Sequence, residues 1–171
     1  MQRIHDAIEF ALLRHEGQLR RHKAVPYVVH PLRIFATLAL KLGIRDEATL
    51  CAALLHDTIE DTRTDYDDLV SRFGKEVADL VAAMTKDMRL PEAEREEAFL
   101  LQVERAPLKA RIVKLCDNYD NLTDSLAFTP EKRREGARRK RPHVESIAAT
   151  LPAEYQPFCD EVRALLTRCL A

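Results

Sequence analysis

The sequence predicts an all-α protein that folds as a single-domain helical bundle. Apolar residues recur at spacings of three and four along most of the chain, and no segment sustains the period-two alternation that marks a half-buried strand. Only 4 of the 171 residues are glycine, and prolines punctuate the helical patterns. With 46% hydrophobic residues, the chain is long enough to bury one sizeable core.

The N-terminal half is predicted to contain three helices, each with an identifiable boundary. The first covers about residues 4–19, where apolar residues form one stripe at helical spacing. After a loop over 21–29, His30-Pro31 marks a helix start, because proline is tolerated at the first helical position. The apolar pattern then ends at Gly43, a residue suited to a C-terminal cap. The next helix begins near Asp46 and carries the most informative motif of the chain.

The C-terminal half is predicted to be helical as well. A short helix over about 65–73 ends at Gly74, and a second continues to about residue 84. A polar loop over 86–97 is expected before the next helix. The next helix is expected through residues 100–101 to 104, and a long helix from Pro107 to about 126. A further helix is expected to begin at 129 and to be kinked or interrupted at Pro142, and the last helix is expected over 153–170.

Composition excludes several classes of protein. The formal net charge is −1, so no overall field favours nucleic acid or an anionic membrane. The apolar runs are too short to span a bilayer and the N-terminal residues lack an apolar signal region, so a cytoplasmic protein is expected. The four cysteines form no C-x-x-C pair and are predicted to be reduced thiols.

The segment 54–62, Leu-Leu-His-Asp-Thr-Ile-Glu-Asp-Thr, is the most informative feature of the sequence. If the helix continues through it, His56 and Glu60 lie four residues apart on one face. Asp57 and Asp61 share a face in the same way. The apolar run before the motif predicts burial, and a buried carboxylate is costly unless a cation or hydrogen bonds compensate it. A divalent metal would do so; solvated acids at a surface helix end are the alternative, and the preceding leucines count against it.

Three other places in the sequence offer groups that complete such a site, because metal sites in helical bundles take ligands from several helices. His30 stands at a helix start, and the segment 15–20 contains further polar residues. Asp117 belongs to a polar stripe at three- and four-residue spacing, made of Lys114, Asp117, Asn121 and Asp124. A structural acid paired with Lys114 is the alternative interpretation of Asp117.

The predicted metal ligands are two imidazoles and two carboxylates, from His30, His56, Asp57 and Asp117. This mixed set suits manganese, iron or zinc better than calcium, and its carboxylates favour manganese (Mn²⁺) or magnesium. A divalent ion lowers the pKa of bound water toward neutrality and so supplies hydroxide for hydrolysis. Glu60 and Asp61 lie one turn beyond and are placed to transfer protons or orient water, a role worth about 10²–10⁴-fold in rate.

The expected substrate is a phosphate ester or anhydride. Basic residues near the motifs are available to hold its phosphates: Arg20, Arg21, His22, Lys23, Lys86 and Lys114. The basic run 132–141 is a phosphate funnel, an RNA-binding patch or a solvated helix face. The solvated face is favoured because the total charge is near zero and no aromatic residues interleave the run. A small-molecule partner is therefore expected rather than a nucleic acid, and a homo-oligomer is left open.

These motifs resemble the HD phosphohydrolase superfamily, in which a histidine, a His-Asp pair and a later aspartate follow one another on helices. The closer resemblance is to the hydrolase domain of RelA/SpoT-type alarmone enzymes, and in particular to the small alarmone hydrolases of the metazoan SpoT-homologue type. It rests on PYVVHP at 26–31, HDTIEDT at 56–62 and KLxDxxxN at 114–121. It is strongest over residues 5–131 of one domain that is expected to cover 1–171.

The resemblance implies a hydrolase, usually manganese-dependent, that removes the 3′-pyrophosphate from guanosine tetra- or pentaphosphate. The residues that match the metal ligands of the family are His30, His56, Asp57 and Asp117. Glu60 and Asp61 match its catalytic acidic pair. Arg20 matches an arginine that packs against the nucleotide base, and Asn121 matches an asparagine that contacts the substrate.

The sequence departs from this family at three positions expected near the substrate. Asn118 stands where a basic residue is usual, Asp120 where an aromatic residue or histidine is frequent, and Glu92 where close relatives carry lysine. We expect these residues to alter substrate preference, so adenosine alarmones, NADPH and other nucleotide phosphates are alternative substrates. A non-catalytic nucleotide sensor is a further alternative, against which the presence of Glu60 and Asp61 counts.

Overall fold

A computed structural model describes residues 1–20 and 24–171 of the chain. Within these residues no β-strand forms, and an isolated antiparallel bridge joins Leu19 to Pro26. The α-helices of the described residues are α1 (Gln2–Arg14), α2 (Val29–Ala36), α3 (Glu47–Leu55), α4 (Thr58–Asp61), α5 (Tyr66–Phe73), α6 (Lys75–Ala82), α7 (Glu92–Arg105), α8 (Leu108–Ser125), α9 (Pro130–Thr150) and α10 (Gln156–Leu170). The predicted all-α bundle is confirmed.

Helix α3 is the centre of the bundle. Every residue from Ala48 to Leu55 is buried, so this helix contacts neighbours on all sides rather than along one stripe. It packs against α1, α2, α6 and α8. Because the C-terminal end of α3 also lies inside the molecule, the next residue, His56, is only 2% exposed.

Several helix boundaries follow from local sequence signals. Asp46 caps α3 by accepting a hydrogen bond from the backbone N–H of Thr49 at 2.8 Å. Asp65 and Asp68 form a reciprocal capping box at the start of α5. Gly74 adopts a positive φ of 82° between α5 and α6, a conformation that glycine takes without strain. The predicted starts and ends near Asp46 and Gly74 are therefore confirmed.

The helix that carries the His-Asp motif does not continue as predicted. Helix α3 ends at Leu55, His56 and Asp57 form a junction, and the four-residue α4 follows. On a regular helix two consecutive side chains point about 100° apart. At the junction Asp57 has φ −98° and ψ −2°, and its Oδ2 lies 2.9 Å from Nε2 of His56.

The boundaries of three helices, α1, α2 and α7, differ from the prediction. Helix α1 ends at Arg14 rather than near residue 19, and α2 passes after Ala36 into a π-helical turn, Thr37–Lys41. The predicted loop over 86–97 is too long, because α7 begins at Glu92 directly after Pro91. Acidic residues in this first turn favour the early start, since they interact well with the positive end of the helix dipole.

Helix α9 runs through Pro142 without the predicted interruption. A proline inside a helix leaves the carbonyl four residues earlier without its N–H donor. That carbonyl belongs to Arg138, and both Arg138 and Pro142 are exposed. Water can therefore satisfy the carbonyl, so the helix tolerates the proline.

All four cysteines of the chain are buried with free thiols: Cys51, Cys116, Cys159 and Cys169. This confirms the prediction that they do not form a disulfide framework. A search of the described residues finds no helix that has both the length and the apolar composition needed to cross a membrane.

Candidate metal centre and active site

His56 presents one ring nitrogen to the interior without a hydrogen-bond partner. Its other nitrogen, Nδ1, donates to the backbone carbonyl of Ala53 at 2.9 Å, so in the neutral imidazole it is Nε2 that carries the lone pair. Nε2 is buried and makes no hydrogen bond of acceptable geometry within the described residues. An unsatisfied buried polar atom costs about 1–3 kcal/mol, and a cation bound at Nε2 would remove this cost.

His30 is held in the same way but by a different kind of partner. It lies on α2 and is 1% exposed. Its Nδ1 donates to Oδ2 of Asp120 at 2.6 Å. Its Nε2 points to the opposite side, where it lies 3.1 Å from Oδ1 of Asp117. Both histidines therefore direct Nε2 into one interior space.

Two carboxylates complete this cluster. Oδ2 of Asp57 lies 2.9 Å from Nε2 of His56 and 3.6 Å from Nε2 of His30. Oδ1 of Asp117 lies 3.1 Å from Nε2 of His30 and 3.9 Å from Nε2 of His56. Ligand atoms that each lie about 2.1 Å from one metal ion are about 3 Å apart at right angles and about 4 Å apart when opposed. The ligand atoms of His30, His56 and Asp117 all lie within 4.8 Å of one another, close enough for one divalent ion, and Asp57 lies beside both imidazoles.

The charges in the cluster compensate one another. Burial opposes ionisation of Asp57 and Asp117, but the neighbouring histidines and a lysine hold the pKa of both carboxyls well below its usual range. Burial also lowers the pKa of His30, yet hydrogen bonds to Asp117 and Asp120 outweigh it and raise that pKa to about 9. A metal ion bound through Nε2 of His30 therefore has to displace a proton at neutral pH.

Asp117 uses its two oxygens for different contacts. Oδ2 lies 2.7 Å from Nζ of Lys114, whereas Oδ1 faces the imidazoles and accepts a hydrogen bond from Nδ2 of Asn121. The ion pair with Lys114, which was the alternative interpretation of Asp117, is therefore present, and it leaves Oδ1 facing the imidazoles.

Glu60 and Asp61 lie on α4 at the outer edge of the cluster. Glu60 is half-buried, and its Oε2 accepts a hydrogen bond from the backbone N–H of Lys86 at 3.1 Å. Burial raises the pKa of Glu60, and partial burial together with the charge of Asp57 raises the pKa of Asp61. A raised pKa brings a carboxyl group closer to the range in which it exchanges protons efficiently. Asp61 also borders a cleft of about 380 Å³ beside the end of α1.

The loop between α1 and α2 brings Arg20 and Tyr27 beside the cluster. Two backbone hydrogen bonds of 2.9 and 3.0 Å close this loop. The Arg20 guanidinium donates to Oδ1 of Asn121 at 2.8 Å and to Oδ2 of Asp124 at 3.1 Å. It lies 5.6 Å from the centre of the Tyr27 ring. Arg20 and Asn121 are therefore in contact, and the guanidinium has a fixed orientation.

Tyr27 belongs to the site although the sequence analysis gave it no role. Its hydroxyl donates a hydrogen bond to Oδ2 of Asp57. Burial and the charge of Asp57 raise the pKa of the phenol, so the hydroxyl keeps its proton and remains a donor. The signal was present in the sequence, because Tyr27 belongs to the PYVVHP motif that also contains His30.

The residues at which the sequence departs from the family differ in their surroundings. Asp120 is buried and accepts hydrogen bonds from His30 and Arg33, so it lies behind a metal-ligand candidate. Asn118 is also buried, at 3% exposure. Glu92 is exposed at the beginning of α7. Asp120 also lies 3.6 Å from Nη2 of Arg20, and its expected effect on substrate preference stays a prediction.

Three lysines form the cationic side of the site. The Nζ atoms of Lys86 and Lys114 lie 5.3 and 5.1 Å from the ring centre of Phe99. Burial lowers the pKa of Lys140 on α9, and the charges of Lys114 and Lys86 lower it further, so Lys140 lies in the same neighbourhood. One residue of the basic run 132–141 is thus partly buried and within electrostatic range of Lys86 and Lys114. Three other basic residues named from the sequence lie outside the described residues: Arg21, His22 and Lys23.

Comparison with known proteins identifies the family. A family model described as HD domain matches residues 7–144. A Xenopus tropicalis protein named guanosine-3′,5′-bis(diphosphate) 3′-pyrophosphohydrolase MESH1 is 42% identical over 132 residues, which cover 75% of this chain and 72% of that protein. The Homo sapiens protein of the same name is 42% identical over 130 residues, covering 74% of this chain and 71% of that protein.

A solved structure agrees with the sequence relatives. It is described as a metazoan ortholog of SpoT that hydrolyses ppGpp, and it matches with a TM-score of 0.88 at 28% identity, covering 100% of this chain and 98% of that chain. The chain belongs to the HD-domain family, as its motifs predict. Within that family it groups with the MESH1 3′-pyrophosphohydrolases.

Proposed function

We propose that this chain is a metal-dependent hydrolase that removes the 3′-pyrophosphate from guanosine 3′,5′-bis(diphosphate) and related alarmones. The observation that carries the proposal is the convergence of two imidazole Nε2 atoms and two carboxylates beside Glu60 and Asp61. The names of the relatives support the substrate class. We propose that residues 1–171 form one hydrolase domain that acts in the cytoplasm.

The residues that would hold the metal ion are His30, His56, Asp57 and Asp117. Their two nitrogen and two oxygen donors suit Mn²⁺, with Mg²⁺, Fe²⁺ and Zn²⁺ as alternatives. When bound, a divalent ion acts as a Lewis acid on a phosphoryl oxygen and lowers the pKa of water. The unsatisfied Nε2 of His56 supports this assignment, because it is a buried lone pair that a cation would satisfy.

Glu60 and Asp61 would handle the protons of the reaction. Oε2 of Glu60 already accepts a hydrogen bond from the backbone of Lys86, so we assign proton transfer to Oε1. Asp61 is more exposed and borders the open cleft, where it can orient the attacking water. The raised pKa values of both carboxyls support this division of roles.

The cationic side would bind the phosphates, and the Arg20 side would bind the nucleoside. Lys86, Lys114 and Lys140 provide ammonium groups that balance the charge of the leaving pyrophosphate. Arg20 would pack its planar guanidinium on the base, with Asn121 fixing its orientation. In this arrangement the 3′-pyrophosphate would face the lysines and the proposed metal ligands.

The proposal is tested by a substrate screen with purified protein and Mn²⁺. The panel contains guanosine and adenosine 3′-pyrophosphates, NADPH and simple nucleoside phosphates, each with an EDTA control. We expect metal-dependent release of pyrophosphate from the guanosine substrate. Hydrolysis of NADPH or the adenosine compound at higher kcat/KM would change the substrate assignment, and nucleotide binding without turnover of any compound would indicate a sensor.

A further inference from the structure

One buried carboxylate beside the metal centre has no part in the mechanism above. Asp120 lies on α8 one turn after Asp117 and is 7% exposed. Its Oδ2 accepts the Nδ1–H of His30 at 2.6 Å. Arg33 donates to both oxygens, from Nε to Oδ1 at 2.6 Å and from Nη2 to Oδ2 at 2.7 Å. Both oxygens of Asp120 are therefore held, and the carboxylate cannot rotate freely.

This contact fixes which nitrogen of His30 is available to a metal. An imidazole whose Nδ1 carries the shared proton presents Nε2 as its lone pair, and a carboxylate partner makes that lone pair more basic. His56 provides an internal comparison, because its Nδ1 donates to a neutral backbone carbonyl at 2.9 Å. Both histidines thus direct Nδ1 to an acceptor and Nε2 to the interior, but their partners differ in charge.

Arg33 explains how a carboxylate can be buried at this place. An unpaired buried charge is costly, and a two-point contact with a guanidinium compensates it with defined geometry. Nη2 of Arg33 also lies 2.9 Å from Oδ2 of Asp124, and Nη2 of Arg20 lies 3.6 Å from Oδ2 of Asp120. The arginines thereby link α2, which carries His30, to α8, which carries Asp117.

We propose that Asp120 is a positioning residue for the metal centre: held by Arg33, it orients His30 and strengthens its Nε2 as a metal ligand. This inference rests on the proposed function only in that His30 binds the metal ion. It gives a role to a residue at which the sequence departs from its family, and it assigns that role to metal affinity rather than to the base.

The test measures the affinity of the metal-free protein for Mn²⁺ by isothermal titration calorimetry. We expect Asp120→Ala to weaken binding about 10–100-fold, the range typical for partners of metal-bound histidines. Asp120→Asn keeps an acceptor of the same shape and removes the charge, so a loss of about 10-fold is expected. Asp79→Asn is the matched control, because Asp79 is an exposed aspartate of α6 paired with Lys75 and outside this network, and its Mn²⁺ affinity should equal that of the wild type.

A second measurement separates positioning from a merely structural role. In protein loaded with diamagnetic Zn²⁺, proton–nitrogen NMR spectra should show a slowly exchanging Nδ1–H of His30, shifted downfield by the carboxylate. This resonance should move upfield in Asp120→Asn, a variant that keeps the side-chain shape and is expected to fold. Circular dichroism verifies folding of each variant.

The outcomes distinguish this inference from the proposed function. Mn²⁺ affinity within twofold of wild type in Asp120→Asn, with an unchanged His30 resonance, overturns the positioning role. If His30→Ala itself leaves Mn²⁺ affinity unchanged, the metal centre is wrongly assigned. Loss of affinity in His30→Ala without any loss in the Asp120 variants keeps the metal centre and removes only Asp120 from it.

Discussion

The inner and outer halves of the site are built differently. The inner half consists of the four ligand candidates: His30, His56 and Asp117 are 1, 2 and 4% exposed, and the Asp57 side chain is 19% exposed. The outer half consists of Glu60, Asp61 and the lysines, which are partly exposed. In the inner half, His30 lies on α2 and Asp117 on α8, and His56 with Asp57 directly follows the central helix α3. In the outer half, Glu60 and Asp61 lie on α4, which has only four residues.

This difference matches the tasks proposed for the two halves. Metal ligands must keep their geometry before the ion arrives, so packing and hydrogen bonds hold them from behind. Groups that exchange protons or bind a charged substrate need access to solvent and substrate. We therefore expect substitutions in the inner half to change the metal content of the protein. Substitutions in the outer half should change turnover or KM while the metal stays bound.

The largest effect is expected for Asp117→Asn, which removes the charge of an inner ligand while conserving its shape. We expect Mn²⁺ retention to be lost and turnover to fall by about 10³-fold or more, since the metal supplies the activation of water. Metal analysis and kcat are measured on the same preparation. Asp79→Asn is the control, because Asp79 is an exposed aspartate paired with Lys75. Full metal content with wild-type kcat in Asp117→Asn would contradict the ligand assignment.

A pH effect is expected from His143, which lies behind the cationic side and contacts Phe99 at 5.3 Å. Burial and the charges of Lys114 and Lys86 lower the pKa of His143 to about 4. The unfolded chain, with a histidine pKa of about 6.5, binds this proton more tightly than the folded protein. The free energy of unfolding should therefore fall as the pH decreases from about 6.5 to 4, by up to about 3 kcal/mol.

Denaturant titrations over this pH range measure the contribution of His143. In His143→Gln, which stays neutral, the corresponding part of the slope should disappear. The exposed His5 provides the matched control, and His5→Gln should keep the wild-type slope. If the free energy of unfolding had the same pH dependence in wild type and in His143→Gln, the pKa of His143 would not be lowered by burial and the neighbouring lysines.

In the outer half, Glu60→Gln and Asp61→Asn should slow turnover without removing the metal. Each substitution is nearly isosteric, so a fall in kcat of about 10²-fold is expected from the loss of the proton-transfer group. The decisive comparison is the Mn²⁺ content of the variants with that of wild type. Loss of metal together with activity would show that Glu60 and Asp61 help to hold the metal ion instead of transferring protons.

Arg20→Lys should affect substrate binding more than chemistry. Lysine cannot reproduce the planar contact with a base or the paired hydrogen bonds to Asn121 and Asp124. We expect KM to rise by about 10-fold, with kcat and metal content nearly unchanged. Arg72→Lys, at an exposed position of α5, is the control. A fall in kcat at constant KM would indicate that Arg20 acts on the reaction itself.

The smallest effect is expected for Lys140→Met. Removal of one of three neighbouring ammonium groups should raise KM for a pyrophosphate substrate by a few-fold, at about 1 kcal/mol per partly screened charge. Arg138→Met, on the exposed part of the same helix, should leave KM unchanged. An equal rise in KM in Lys140→Met and Arg138→Met would mean that all charges of the basic run attract the substrate alike and that Lys140 does not contact it.

The sequence predicted the helical fold and the groups of the inner half because both produce local patterns. The buried run before His56 predicted where that histidine lies, and the spacing of Lys114, Asp117 and Asn121 predicted their common face. Helix boundaries at Asp46 and Gly74 were predictable because a single capping residue determines each of them.

Features that depend on tertiary contacts were beyond the sequence. The break between α3 and α4 has no glycine or proline to announce it. Asp120 reaches His30 across 90 positions of sequence, and Lys140 reaches the site from a helix whose other basic residues are mostly exposed. Periodicity reports which residues share a face, but not which element lies opposite that face.

The central claim is that two imidazoles and two carboxylates of the inner half hold one divalent ion. X-ray absorption at the manganese edge of the Mn²⁺-loaded protein tests this directly, because imidazole rings give distinct multiple-scattering features. The account predicts two imidazole ligands in the wild type and one in each of His30→Ala and His56→Ala, where those variants retain the ion. A manganese environment made only of oxygen ligands in the wild type would contradict it.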